Sequence, residues 1–296
     1  MALLRRIWVE SLTALLFVVE FGGNVLRWIG LGRRYYTKKN RIDGKCVIIT
    51  GANSGIGKYT AMELSRRGAK VIMCCRSESS GRQAVNDIKR RHPEASLEVM
   101  QLDLASLASV NRFADQLIKQ VKTVDILVNN AGVMMTPASK SADNFELQFA
   151  TNHLGHFLLT QRLLPLLANS SDGRILNVSS VHHVRGQIFF DDINFEKPGS
   201  YDPVEAYCQS KMANVLFSRE LARQLRLQPK YRSVKSYALN PGTINTNLTR
   251  HVTGGRRVIF DLIGTLFNLD IKTGTQTTLY CALEPLLVDQ SGHYYR

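Results

Sequence analysis

From Lys45 onward, short runs of β-branched and apolar residues alternate with longer stretches of helical period, and this rhythm constrains the fold more than any other feature of the chain. Cys46–Thr50, Lys70–Cys75, Leu97–Leu102, Ile126–Asn129, Ile175–Val178 and Val234–Leu239 each read as a buried strand. Amphipathic helices fill the intervals. Strands that alternate with helices pair in parallel through right-handed crossovers, which gives a single doubly wound α/β sheet with helices on both faces. These six runs make up most of an expected sheet of about seven strands. No internal repeat or low-complexity linker divides it, so residues 41–296 are expected to form one domain.

Residues 1–40 differ in kind. Residues 3–31 are apolar except for a few interruptions, among them Glu10, Glu20 and Arg27. The uninterrupted apolar part is about half of the roughly 20 residues that a spanning helix needs. On a helical wheel Arg6, Glu10, Thr13, Glu20, Asn24 and Arg27 fall within an arc of roughly 100°. The result is an apolar helix with one narrow polar stripe, suited to lie in a headgroup layer or to span with its stripe covered. Acids inside the apolar stretch argue against a cleaved signal peptide, and Met-Ala at the start excludes a myristoylation signal.

Charge supports a lipid partner. The 296 residues carry a formal net charge of +14, which suggests nucleic acid, an anionic membrane or phosphorylated ligands. Arg33, Arg34, Lys38, Lys39 and Arg41 crowd just after the apolar stretch, where basic residues face lipid headgroups. No nucleic-acid module is recognisable, so nucleic acid is not expected as a partner. The five cysteines form no C-x-x-C pair and read as buried thiols of a reducing compartment. The sequons at Asn169, Asn177 and Asn247 are expected to be unused.

A ligand site is written at the strand ends. Thr50-Gly51-Ala52-Asn53-Ser54-Gly55-Ile56-Gly57 joins the first strand to the first helix. Glycines there allow a tight turn and close approach to a pyrophosphate, with the helix N-terminus facing its charge, as in a Rossmann-type dinucleotide site. The expected contacts are Gly51, Asn53, Ser54, Gly55, Ile56 and Gly57. The second strand ends in Cys74-Cys75-Arg76-Ser77, without the carboxylate that NAD binders place on the ribose hydroxyl. Arg76 instead suits a 2′-phosphate, so NADP(H) is the expected cofactor. Asp103-Leu104 ends the third strand beside the adenine, and Asn130-Ala131-Gly132 follows the fourth, where small residues admit the cofactor.

Taken in order, Thr50 to Gly57, Asn129-Asn130-Ala131-Gly132, Asn152, Ser179-Ser180, Tyr207-x-x-x-Lys211 and Pro241-Gly242 resemble the short-chain dehydrogenase/reductase family. Within it, Asn130 to Met135, Asn152 to Thr160 and Tyr207 to Phe217 look like the membrane-bound retinol dehydrogenase/retinal reductase branch. The resemblance implies a catalytic tetrad of Asn152, Ser180, Tyr207 and Lys211. A free tyrosine has a pKa of about 10, too high for a ready base, and a lysine one helical turn away favours its charged form. By resemblance Lys211 also bonds the nicotinamide ribose, Asn152 holds a water linking Lys211 to solvent, and Ser180, with Ser179 as its neighbouring rival, bonds the substrate oxygen. Tyr207, Lys211, Pro241, Gly242, Thr243 and Thr246 complete the implied cofactor contacts.

The histidines His153, His156, His182 and His183 are expected to pack rather than bind metal, since this hydride transfer needs none. Thr243 to Lys272 is expected as an apolar substrate loop, with Ile188-Phe189-Phe190 as a further pocket wall. The resemblance implies an alcohol/carbonyl oxidoreductase for a small lipophilic substrate, most simply retinol/retinal. The rivals are a hydroxysteroid or general lipid carbonyl reductase, and an inactive NADP-binding membrane adaptor. It further implies attachment to the endoplasmic reticulum with the catalytic domain in the cytosol, with lipid droplet or mitochondrial membrane as alternatives, and leaves a homodimer open. Such proteins usually continue past Ser291–Tyr295 with a closing helix, whereas this sequence stops at Arg296, which bears on the lid, the dimer contacts and activity.

Overall fold

The structure, a computed structural model, describes residues 35–242, 244, 248, 250 and 270–296. The expected anchor helix, Thr243, Thr246 and the apolar part of the expected substrate loop lie outside the described residues. The chain runs β1 (Cys46–Thr50), α1 (Gly55–Arg66), β2 (Lys70–Cys75), α2 (Glu78–Lys89), β3 (Leu97–Gln101), α3 (Leu107–Gln120) and β4 (Ile126–Asn129). It continues through α4 (Gly155–Ala168), β5 (Gly173–Val178), α5 (Pro203–Leu227), β6 (Val234–Leu239), α6 (Ile271–Leu283) and β7 (Tyr294–Tyr295). The seven strands form one sheet in the order β3-β2-β1-β4-β5-β6-β7, and every neighbouring pair is parallel. This is the doubly wound α/β fold the rhythm predicts.

The strands read as continuous apolar runs because both faces are covered. Alternate residues go to opposite cores. Val47 and Ile49 of β1, Val71 and Met73 of β2, Ile126 and Val128 of β4, and Leu176 and Val178 of β5 pack under α1, α2 and α6. Ile48, Ile72, Leu127 and Ile175 face the other way, under α3, α4 and α5. Helix α3 meets them with Val110, Phe113, Ala114 and Leu117, the three- and four-residue spacing of one helical stripe. Truncating a fully buried leucine such as Leu127 or Leu163 to alanine is expected to cost about 2–5 kcal/mol.

The N-terminal ends of the strands are closed by paired charges. Asp125, just before β4, accepts from the Cys46 amide at 2.9 Å, from Lys45 Nζ at 2.9 Å and from Ser170 Oγ at 2.7 Å. Arg174 of β5 is buried, pairs with Asp172 at 2.7 Å and donates to the carbonyls of Cys281 and Glu284 at 3.0 and 2.9 Å. These bonds tie the sheet to the end of α6. Onto the same helix lie the first described residues. The Tyr36 amide donates to Gln276 at 2.9 Å, Lys38 pairs with Glu284 at 2.8 Å, and Asn40 donates to the Leu283 carbonyl at 3.2 Å. All five cysteines are buried and unpaired. Among the described residues no helix is long and apolar enough to cross a membrane.

Candidate active site

The chain leaves β1 toward β2 and β3 on one side and returns to β4 on the other, so the crevice beyond the C-terminal ends of β1 and β4 is the topological switch point. A cavity of about 700 Å³ opens there. The glycine loop forms one wall, contributing Gly51, Asn53, Ser54, Gly55, Ile56 and Gly57. Gly51 sits at φ +64°, and a Cβ on it would come within 2.9 Å of Ala131 Cα. A Cβ on Gly57 would lie 2.4 Å from the Gly51 carbonyl oxygen, so the loop closes on itself only without side chains there.

Helix α1 begins differently from its neighbours. Ser77, Ser106 and Asp202 cap α2, α3 and α5 through their side chains, whereas Ser54 at the head of α1 makes no such bond. The first amides of α1 therefore remain available to an anion in the cavity. Arg76, exposed at the end of β2, stands in the same wall with Ser77 and Ser80. Asp103 and Leu104 line it after β3, and Asn130, Ala131 and Gly132 after β4. Pro241 and Gly242 line it after β6.

The floor between β1 and β4 is fastened by Thr50. Its hydroxyl accepts from the amides of Asn130 and Ala131, each at 2.9 Å, and lies 2.8 Å from His156 Nε2. With both lone pairs used, the hydroxyl proton goes to Nε2 rather than to the Val128 carbonyl at 3.4 Å. His156 then carries its own proton on Nδ1, which donates to the Asn152 carbonyl at 3.0 Å. Burial pushes this histidine's pKa down to about 3, so the ring is neutral and its tautomer is set by the two bonds.

Asn152 sits where the helix leading into α4 widens to π-type winding over Ala150–Leu154. Such widening turns a side chain out of register with its helix. The Asn152 amide clamps the chain after Gly132, since Oδ1 accepts from the Val133 amide at 2.8 Å and Nδ2 donates to the Val133 carbonyl at 2.9 Å. Nδ2 also donates to Ser210 Oγ at 2.9 Å. Asn152 is fully buried and stands behind the cavity wall rather than in it. Oδ1 keeps one further acceptor site, bordering the space above Gly132 where a Cβ would lie 3.3 Å from Oδ1 and 3.7 Å from Lys211 Nζ.

Helix α5 carries Tyr207 and Lys211 one turn apart, both in the cavity wall. Lys211 is buried, its Nζ donates to the Val178 carbonyl at 3.0 Å, and it stands 5.6 Å from the centre of the Tyr207 ring. Among the described residues no carboxylate pairs with it, and burial alone pushes its pKa down to about 8. The two serines after β5 divide their tasks. Ser179 Oγ donates to the Lys211 carbonyl at 2.8 Å, whereas Ser180 Oγ lies 3.3 Å from His182 Nδ1. His182 lines the cavity edge-on to Tyr207, and burial lowers its pKa to about 4.

The surroundings of Tyr207 are apolar. Met134, Met135, Val204 and Leu248 pack around Tyr207. Met135 adopts φ +50°, unusual for a residue with a side chain, and its amide is held by Gln148 Oε1 at 2.8 Å. Ile244 and Leu248 also line the cavity. Ile188-Phe189-Phe190, expected as a pocket wall, do not, because Phe189 packs on Phe195 and Phe190 is 84% exposed. Of the expected catalytic and cofactor residues that are described, all but Asn152 share the one cavity. The reading of the sequence missed Thr50, His156, His182 and Asn214 as parts of the site. Two of them left a signal: Thr50 opens the glycine motif, and Asn214 lies three residues beyond Lys211 on the same helical face.

A family model described as short chain dehydrogenase matches residues 45–192. Retinol dehydrogenase 12 from Bos taurus is 45% identical over 255 residues, covering 85% of this chain and 77% of that protein. Retinol dehydrogenase 13 from Homo sapiens is 45% identical over 262 residues, covering 87% of this chain and 77% of that protein. Among solved structures, an uncharacterised protein from Mycobacterium paratuberculosis is similar at 40% identity and a TM-score of 0.67, covering 83% of this chain and 78% of that one.

Proposed function

The chain belongs to the short-chain dehydrogenase family, in its retinol dehydrogenase branch, and is an NAD(P)-dependent oxidoreductase; on that footing we propose that it reduces retinal or a similar lipophilic carbonyl with NADPH. The observation that carries this reading is Tyr207 beside a buried Lys211, which no carboxylate pairs among the described residues, in the wall of the cavity that the glycine loop borders.

The cavity fits a phosphorylated dinucleotide. Gly51 and Gly57 leave room for a pyrophosphate, the uncapped start of α1 offers amides to it, and Arg76 offers a charge-assisted bond to a 2′-phosphate. When bound, the dinucleotide supplies the hydride. Tyr207 gives the proton to the substrate oxygen, and Ser180 Oγ stabilises the charge that gathers there. The Lys211 ammonium favours the tyrosinate left behind and, through its remaining N–H donors, bonds the nicotinamide ribose. The apolar Met134, Met135 and Leu248 around Tyr207 support a lipophilic partner for the hydroxyl. Because NADPH in cells is mostly reduced, the net direction is carbonyl reduction. Residues 1–34, with their apolar stretch and basic flank, support attachment to a membrane from which such a substrate would come.

The test is oxidation of NADPH, with NADH in parallel, by the purified, detergent-solubilised protein given all-trans-retinal. Turnover with NADPH at least about tenfold above that with NADH is expected. Bound NADPH without turnover of retinal would redirect the assignment to a hydroxysteroid or general lipid carbonyl substrate. Silence on a broad carbonyl panel would leave an NADP-binding adaptor.

A further inference from the structure

Asn214 is buried on α5, one turn beyond Lys211, and its amide is occupied on both sides. Nδ2 donates to the Asn152 carbonyl at 3.1 Å and to the Val178 carbonyl at 3.3 Å. Oδ1 lies 3.1 Å from His153 Nδ1. The reverse orientation of the amide would turn an oxygen toward two carbonyl oxygens, so the network assigns this one and requires His153 to carry its proton on Nδ1.

The two carbonyls that Asn214 holds are the two that frame the active end of the sheet. Val178's is the acceptor of the Lys211 ammonium at 3.0 Å, so Asn214 and Lys211 share one oxygen. Asn152's also receives the Nδ1 proton of His156, whose other nitrogen is bonded to Thr50 beneath the glycine loop. A lysine ammonium is a compact charge on a flexible stem, located only by what accepts its hydrogens. Among the described residues no carboxylate locates it here, so the place of the Val178 carbonyl decides where the charge stands.

We propose that Asn214 is a positioning residue for Lys211: by bridging the Val178 and Asn152 carbonyls it fixes the ammonium relative to Tyr207 and the cofactor cleft. This rests on the reading of Lys211 as the group that acts on Tyr207. His153 completes the device by holding the far side of the amide, backed by ring contacts with Phe149 and Phe217 at 5.2 and 5.9 Å.

The test is a double-mutant cycle between Asn214→Asp and Lys211→Met, read as kcat and KM for NADPH-driven retinal reduction. The aspartate keeps an oxygen for His153, removes both donors to the carbonyls and adds a carboxylate beside the ammonium, so Asn214→Ala is run through the same cycle to remove the donors without adding charge. In the otherwise native chain kcat is expected to fall about 10- to 100-fold, since displacement of a catalytic group by a fraction of an ångström is costly, while both KM values stay within about threefold. In the Lys211→Met background the same substitution is expected to change the residual rate by less than about twofold. A kcat untouched by Asn214→Asp, or an equal loss in both backgrounds, overturns the inference. If Lys211→Met alone leaves kcat intact, the catalytic reading of Lys211 fails first and the inference falls with it. Should the aspartate variant not fold, Asn214→Ala taken through the same cycle keeps the test decisive.

Discussion

The two ends of the same sheet treat buried charge in opposite ways. At the N-terminal ends of the strands, Asp125 and Arg174 are buried and every bond they make is to an opposite charge, a hydroxyl or a backbone group that would otherwise be unmet. At the C-terminal ends, Lys211 is as deeply buried with one carbonyl as its acceptor and no carboxylate among the described residues. Removing one partner of such a pair strands the other, so the pairs hold together the elements they join. An unpaired ammonium costs stability, and its pKa of about 8 records that cost. The contrast separates the part of the sheet that holds the fold from the part proposed to act on a ligand.

That separation can be broken by substitution. Tyr207→Phe removes the proposed proton donor and leaves the ring packing against His182, so turnover on retinal is expected to fall by about 10³-fold, with NADPH affinity and thermal midpoint nearly unchanged. Arg174→Met strands Asp172 and two carbonyls, and urea unfolding is expected to show a loss of about 2–4 kcal/mol. Turnover per folded molecule of that variant is expected to stay within about twofold, because Arg174 lies at the far end of the strands. Arg76→Ala has the smallest effect, an increase of about tenfold in KM for NADPH with little change for NADH and none in stability. Equal losses with both cofactors would remove Arg76 as the reader of a 2′-phosphate.

The strands were legible because a parallel sheet buried on both faces makes each strand a bounded apolar run. Five of the six predicted runs begin where the structure begins them. The exception is β5, which starts at Gly173 and Arg174, before the apolar run opens. The two-residue β7 is too short to give a period, so no run in the sequence marks it. Most cavity residues were legible because they follow strand ends in a fixed order, and Tyr207 and Lys211 because they stand one helical turn apart. What lay hidden was contact between distant backbone groups. No local pattern announces the π-type winding at Ala150–Leu154, or that it turns the Asn152 amide onto Val133 and its carbonyl toward His156 and Asn214. The sequence implies packing roles for the four histidines, and His156 packs as a neutral bridge between the glycine loop and Asn152.

The most direct test of the contrast reads stability and turnover on one sample of Lys211→Met. Burial holds the Lys211 pKa at about 8, below the lysine value of about 10.4, so between those values the unfolded chain binds a proton that the folded chain lacks. Stability contributed by this site therefore rises with pH across that interval, and below it the full cost of the buried ammonium is present. At neutral pH the methionine variant is expected to be more stable by about 1–3 kcal/mol while losing about 100-fold or more in turnover, and the gain is expected to shrink as pH rises toward 10. A variant that loses stability along with turnover, or keeps its turnover, would contradict the claim that this end of the sheet gives up stability for chemistry.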